Sequence, residues 1–142
     1  MNYLQAFAIS GSGMAVEKAR VDLTAVNIAN AQSTRGPDGA LFRPLRLVSA
    51  ARASDFAALL AGQSSGLQGA QIVAVRPLDA APRLVLEPGH PDADERGFVA
   101  YPGVNPLTEM VTLMTAVRVY EANVAALNAA KSMALKTLEL GS

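Results

Sequence analysis

One short segment groups residue types that ligate metal ions: the single His90 is followed at two-residue spacing by Asp92 and Asp94. Acidic residues two apart before a glycine also open calcium loops of the EF-hand type. The fifth loop position here would be Arg96 and the twelfth Gly103, so two of the required oxygen ligands are missing. Two interpretations remain open: a small metal- or ligand-binding module around these three residues, or a solvated turn in which His90 bonds to the backbone.

Other chemistry has few residues to draw on. The chain has no Cys and one His, which excludes thiol nucleophiles, disulfides and the common Cys/His zinc sites. Gly11-Ser12-Gly13 lacks both the third glycine and the preceding strand of a dinucleotide-binding fingerprint. Outside the His90 segment, the residues therefore predict no enzymatic activity, no catalytic residue, no resident metal and no cofactor.

Composition favours one domain without a nucleic-acid partner. The 142 residues are 51% hydrophobic, enough for one compact core. Twelve basic and twelve acidic residues give zero net charge, so no overall positive field attracts nucleic acid or an anionic membrane. The first sixteen residues carry no charge, but polar residues interrupt them and no basic residue precedes them. We expect no membrane span and no cleavable signal peptide.

Pro and Gly divide the chain into three parts of a single structural unit. Residues 31–105 hold seven of the eight prolines and eight of the eleven glycines. Because these residues disfavour helix interiors, the middle is predicted to be a β-rich irregular insert. Residues 1–30 and 106–142 are then free to form long helices. The predicted fold class is mainly α with a small β-rich insert.

The C-terminal part has a seven-residue apolar repeat, which is typical of a coiled-coil seam. Asn105 is a good N-cap with Pro106 behind it, and Glu109 suits the positive end of the helix. The repeat predicts a helix from Pro106 to Leu140. Its large members, which we expect to form an assembly seam, are Met110, Leu113, Val117, Tyr120, Val124, Leu127 and Leu138.

The N-terminal part follows the same spacing, which predicts that the two helices pair as a coiled coil. Asn30 is a plausible left-handed terminator of this first helix. The large apolar residues of its predicted seam are Leu4, Phe7, Met14, Val21 and Ile28.

The middle is predicted to hold short strands. Residues 41–48 alternate in part, with Pro44 favouring a sheet edge. Residues 71–76 and 83–87 are predicted to pair as a hairpin across the intervening prolines. The Gly-, Ser- and Gln-rich stretch near residues 54–69 is predicted to be a mobile loop.

Several runs resemble the flagellar rod, hook and axial protein family. Its N-terminal signature is matched by Ser12-Gly13-Met14-Ala15, Arg20 and Asn27-Ile28-Ala29-Asn30-Ala31. Its C-terminal helix is similar to Tyr120-Glu121-Ala122-Asn123 and Leu135-Lys136-Thr137-Leu138. Residues 88–95, 97–99, 104–105 and 130–133 are similar to the proximal rod members of the family. The resemblance covers about half of the chain.

The resemblance implies a structural protein of the bacterial flagellar basal body that polymerises into the periplasmic rod through its terminal helices. Implied partners are further copies, other rod proteins, basal-body ring components and the flagellar type III export apparatus. The family's motif residues carry over to Asn27, Ala29, Asn30 and Asn123, which the resemblance places in the helix-lined part of the assembly. A cytosolic helical-hairpin adaptor and the small binding module described above are the alternative functions.

Overall fold

The computed structural model describes residues 3–52 and 68–140 and contains two long helices separated by strands. The prediction of a mainly helical fold with a small β-rich insert is confirmed at this level. The loop predicted near residues 54–69 lies outside the described residues except for its last two positions. In chain order the elements are α1 (Tyr3–Ala29), β1 (Leu45–Ala51), β2 (Ala70–Pro77), β3 (Arg83–Leu86), β4 (Phe98–Tyr101) and α2 (Pro106–Leu140).

Helix α1 ends through a side-chain contact of Asn30. The Nδ2 of Asn30 donates to the Val26 carbonyl at 2.9 Å, and the backbone N–H of Asn30 reaches the same carbonyl at 3.1 Å. No described residue other than glycine has a positive φ, so the left-handed termination predicted at Asn30 is wrong. An amide side chain that bonds the last turn satisfies its carbonyl without left-handed backbone.

Helix α2 has the predicted bounds because its first turn is capped. The Oδ1 of Asn105 accepts hydrogen bonds from the backbone N–H groups of Leu107 at 3.0 Å and Thr108 at 3.3 Å. Pro106 occupies the first helical position, where a missing N–H costs nothing. The cap therefore determines where the 35-residue helix begins.

Replacing Asn105 with Ala is expected to lower the free energy of unfolding by about 1 kcal/mol, because two N–H groups lose their acceptor. Thermal and urea unfolding followed by far-UV circular dichroism measures the change. Asn128→Ala, at an exposed position inside α2, is the matched control and should not destabilise the protein, since Ala is the better helix former. Equal losses in both variants would contradict the capping role.

The strands form two separate antiparallel ribbons. The first ribbon, β1 with β2, runs from the pair Leu45 and Pro77 to the pair Ala51 and Ala70, with an irregularity after Val48. The second ribbon pairs β3 with β4. The predicted hairpin between residues 71–76 and 83–87 is therefore wrong.

A tight turn explains why β3 pairs with β4. The Oδ1 of Asp94 accepts hydrogen bonds from the backbone N–H groups of Arg96 at 2.9 Å and Phe98 at 2.8 Å. Gly97 adopts a φ of 81°, a left-handed conformation that glycine takes without strain. The chain after β3 is thus directed back along β3, while β2 is already paired with β1.

Buried side chains are few and mostly small. The second ribbon and the segment after it bury Val99, Tyr101, Pro102 and Val104. In the helices the buried apolar residues are Val16, Ala116 and Ala130. In residues 3–52 and 68–140, neither helix has a stretch long and apolar enough to cross a bilayer.

Candidate assembly site

The two helices pack against each other in one antiparallel register. Tyr3 and Thr137 share a hydrogen bond of 3.1 Å between their hydroxyls. Further along, Gly13 lies against Asn123, and Asn27 bonds to Glu109. The last two contacts are fourteen residues apart on both helices, which is two heptads. Equal spacing on the two helices therefore holds between these two contacts but not as far as Tyr3 and Thr137, which lie ten residues before Gly13 and fourteen residues after Asn123.

Close approach of the helices at Gly13 depends on the missing side chain. A Cβ at this position would lie 2.9 Å from Oδ1 and 3.0 Å from Nδ2 of Asn123, closer than normal contact. The Nδ2 of Asn123 donates to the Val119 carbonyl of its own helix at 2.9 Å. The Ser12 hydroxyl also accepts a hydrogen bond from the Ala70 N–H at 3.0 Å, so this part of α1 contacts both α2 and the first ribbon.

A polar cluster joins the end of α1, the start of β1 and the start of α2. We call it the junction and define it as Asn27, Leu45, Arg46 and Glu109. The Nδ2 of Asn27 donates to the Leu45 carbonyl at 2.9 Å and to Oε2 of Glu109 at 3.0 Å. The Oδ1 of Asn27 accepts from the Leu45 N–H at 2.8 Å. One amide thus ties together three elements that are distant in sequence.

Charge in the junction is buried and compensated. Glu109 is only 3% exposed, and its Oε1 lies 3.1 Å from Nη2 of Arg46. Its place in the first turn of α2 adds the favourable field of the helix N-terminus. Because a buried carboxylate is costly unless paired and hydrogen-bonded, the junction tolerates little change in any of its partners.

The residues at the contact between the two helices form a line along each helix, which we call the contact stripe: Val16, Thr24 and Asn27 on α1, and Glu109, Ala116, Asn123 and Ala130 on α2. The predicted seam residues lie around this line. On α1, Phe7, Met14, Val21 and Ile28 are partly buried, whereas Leu4 is 77% exposed. On α2, Leu113, Val124 and Leu127 are partly buried, whereas Met110, Val117, Tyr120 and Leu138 are exposed. The fully buried positions are Val16, Thr24 and Asn27 on α1, and Glu109, Ala116 and Ala130 on α2.

Small and polar residues therefore form the closest contacts between the helices, and many large apolar residues lie beside them. Glu109, Ala116, Asn123 and Ala130 follow each other at seven-residue spacing, and the first three stand one position before the predicted seam members Met110, Val117 and Val124. Whether the helices form a coiled coil through the larger residues stays a prediction.

Large apolar residues lie exposed on the N-terminal half of α2. At about 100° per residue, Met114 lies about 200° around the helix from the buried Ala116. We call this set the α2 stripe and define it as Leu107, Met110, Val111, Met114 and Val117, all exposed. Such a stripe leaves apolar surface available to a neighbouring molecule.

A shallow groove runs between the helices beside the α2 stripe. It encloses about 320 Å³ and is lined by Lys18, Val21, Asp22, Val117 and Tyr120. Lys18 and Asp22 form an exposed ion pair of 3.0 Å at its edge. The groove is thus apolar at its floor and charged at one rim.

The segment with His90 forms a turn. The Nδ1 of His90 accepts a hydrogen bond from the Asp92 N–H at 3.0 Å. The carboxylate of Asp92 binds Nη2 of Arg35 and accepts from the Thr34 hydroxyl, both at 2.8 Å. Asp94 caps the turn. Among the described residues, no three His, Asp or Glu side chains come together as a metal site requires.

A hydrogen bond joins Tyr101 of β4 to Glu87, the residue after β3. The Tyr101 hydroxyl donates to Oε2 of Glu87 at 3.0 Å, and the Arg83 guanidinium lies 5.2 Å from the ring centre. The hydrogen bond to the carboxylate raises the pKa of Tyr101, with burial and the negative charge of Glu87 acting in the same direction.

Replacing Glu87 with Gln is expected to lower the pKa of Tyr101, because a neutral amide is a weaker acceptor for the hydroxyl than a carboxylate, carries no negative charge and can donate to the tyrosinate. The raised pKa stabilises the fold below the ordinary tyrosine value of about 10, and this contribution is lost as pH rises through the higher value. Ultraviolet titration of tyrosinate, compared with Tyr101→Phe to assign the signal, measures the shift. Identical titrations of the Gln variant and the unmodified chain would contradict this coupling.

The motif residues carried over from the family have distinct positions. Asn27 lies in the junction, Asn123 faces Gly13, Asn30 bonds the last turn of α1, and Ala29 is exposed. Sequence reasoning missed the role of Arg46 and treated Glu109 only as a favourable first-turn residue. In the sequence, the α2 side of the contact stripe is indicated by four residues at seven-residue spacing: Glu109, Ala116, Asn123 and Ala130.

Comparison with known proteins gives a family match to the C-terminal part of the chain and relatives that match nearly its whole length. Residues 95–140 match the family model described as flagellar basal body rod FlgEFG protein C-terminal. The chain is 42% identical over 141 residues to the flagellar basal-body rod protein FlgC of Salmonella typhimurium, covering 99% of both chains. It is 33% identical over 149 residues to FlgC of Bacillus subtilis, again with 99% of both covered. The chain belongs to the FlgC family of flagellar basal-body rod proteins.

Proposed function

We propose that this chain is a structural subunit of the proximal rod of the bacterial flagellum and polymerises through its terminal helices. Its partners are further copies, other rod proteins and basal-body ring components. It reaches the periplasm through the flagellar type III export apparatus. Its role is to build the rod, with no reaction to catalyse. Similarity to the FlgC relatives over 99% of their length supports this assignment.

The observation that supports polymerisation best is the apolar surface that α2 leaves uncovered. All five residues of the α2 stripe are exposed, Leu107 at 71%, Met110 at 55% and Met114 at 58%. Contiguous apolar surface of this kind marks a protein contact. A chain that leaves such residues exposed gains stability when neighbours cover them.

Complementation tests the proposed function. Cells that lack the chromosomal copy of this chain are expected to be non-motile and to regain motility when it is supplied. Purified basal bodies should then contain the chain, and cells without the export apparatus should retain it in the cytosol. Motile cells without the chain, or basal bodies that never contain it, would overturn the proposal.

A further inference from the structure

Charge is distributed unequally between the first ribbon and the turn that joins β3 to β4, although the chain is neutral overall. Each helix carries equal numbers of acidic and basic residues. Residues 40–52 and 68–82, which contain the first ribbon, carry four arginines and one acidic residue, Asp79. Residues 87–97, which we call the acidic turn, carry four acidic residues and one arginine. The largest imbalances therefore lie in two segments of opposite sign, and the single charges Asp55 and Arg83 lie outside both.

On the first ribbon, Arg76 has no counter-charge within the part of the chain that the structure describes. Arg46 lies directly opposite it in the strand register but is held by Glu109. Arg43 pairs with Asp79 at 3.2 Å. Arg76 is thus an exposed cation beside a like charge, an arrangement that disfavours the isolated ribbon.

Glu95 has the corresponding position on the acidic turn. Asp92 is paired with Arg35, Glu87 accepts from Tyr101, and Asp94 caps the turn with Oδ1. Glu95 is exposed and, among residues 3–52 and 68–140, forms no ion pair. Of the four carboxylates of the acidic turn, that of Glu95 can therefore bind a second molecule without breaking a contact within its own chain.

The first ribbon also exposes apolar side chains next to its free cation. Ile72, Val73 and Val75 are each about half exposed on β2, adjacent to Arg76. Within the described residues, the strands of the first ribbon make no contact with those of the second. The two oppositely charged surfaces therefore do not cover each other within the described structure.

We propose that the first ribbon binds the acidic turn of a second copy of this chain, with Arg76 facing Glu95 of the neighbour. Opposite charges on two different surfaces of one molecule favour a heterologous contact. A row of copies joined in this way has an unoccupied first ribbon at one end and an unoccupied acidic turn at the other. Further copies can therefore add at both ends, and the row does not close on itself. This inference rests on the proposed function and names surfaces outside the helices that join successive subunits.

Site-directed cross-linking tests the contact, because the chain has no Cys and each introduced thiol is unique. One copy carries Arg76→Cys and another carries Glu95→Cys, expressed together in cells that assemble basal bodies. A short bis-maleimide linker is expected to give covalent dimers of the two variants in isolated basal bodies. Arg76→Cys with Glu121→Cys is the matched control, since Glu121 is an exposed acidic residue on α2.

Charge exchange gives a second measurement. Arg76→Glu and Glu95→Arg should each reduce incorporation about tenfold when expressed alone, because each places like charges in contact. Expressed together they should restore incorporation, since each variant then meets an opposite charge on the other. The circular dichroism melting curve of the purified Glu95 variant should match that of the unmodified chain, and the curve of the Arg76 variant should lie at or above it, since that change removes the like charge opposite Arg46.

Two results would overturn the contact while leaving the proposed function intact. One is normal incorporation of each charge variant alone. The other is incorporation that is not restored by the mixture, with cross-linking no higher than in the Glu121 control, which would indicate a different anionic partner. Failure of the proposed function has a different signature, since the unmodified chain would then be missing from basal bodies.

Discussion

Replacing Asn27 with Asp is expected to destabilise the protein by about 3 to 5 kcal/mol, although the two side chains have nearly the same shape. The Nδ2 that donates to the Leu45 carbonyl and to Oε2 of Glu109 becomes a carboxylate oxygen. Two carboxylates then face each other in a site where Asn27 is 1% exposed. A buried charge without compensation has a cost of this size. Urea unfolding monitored by circular dichroism measures it.

The pH dependence of the same variant identifies the cause. Two carboxylates in contact share one proton, so the pair has a raised pKa in the folded state. Stability that the Asp variant lacks at neutral pH should therefore return in part as pH falls and the pair takes up a proton. Asn128→Asp, on the exposed side of α2, is the control. A loss of similar size in both variants, or one that is independent of pH, would contradict the buried junction.

The sequence predicts the bounds of α2 because the signals that determine them are local. Asn105 and Pro106 are adjacent in the chain, and a cap acts within one turn of the helix. The junction is not local in this sense. Its residues come from positions 27, 45, 46 and 109, and only folding brings them together. The spacing of these residues in the sequence does not show that they come into contact in the folded chain.

The predicted seam illustrates a different limit. A hydrophobic repeat shows which residues leave water, but not whether their own chain or a neighbour covers them. In this chain Ala116 is 1% exposed at the helix contact, while Met114 two residues earlier remains outside it. Small residues allow close approach of the helices, so the smallest side chains occupy the contact. The larger ones are left for an external partner in the proposed assembly.

The prediction of a hairpin between residues 71–76 and 83–87 is wrong for a physical reason as well. The apolar patterns of residues 71–76 and 83–87 are compatible with many partners, since pairing depends on the connecting turns. The capping carboxylate of Asp94 and the left-handed Gly97 direct β4 onto β3. A dipeptide turn signal of the common hairpin types is absent from this loop, so the sequence pattern alone gave no strand at residues 98–101.

Replacing Met114 with Glu is expected to abolish motility while leaving the isolated chain as stable as before. Met114 is more than half exposed on the α2 stripe, so the change should alter the free energy of unfolding by less than about 0.5 kcal/mol. In the proposed rod a neighbour covers the stripe, and a buried unpaired carboxylate there costs several kcal/mol. Incorporation into basal bodies should then fall about a hundredfold or more, measured by immunoblotting of purified basal bodies beside a swimming assay.

Ala126→Glu separates the α2 stripe from the rest of the helix. Ala126 lies about three turns further along α2 and is also exposed. The same negative charge is introduced, but outside the stripe and about 120° around the helix from Met114. If apolar contact through the stripe drives assembly, only the Met114 variant loses motility. Loss in both variants would indicate a general effect of charge on α2, and loss in neither would exclude the stripe as an assembly surface.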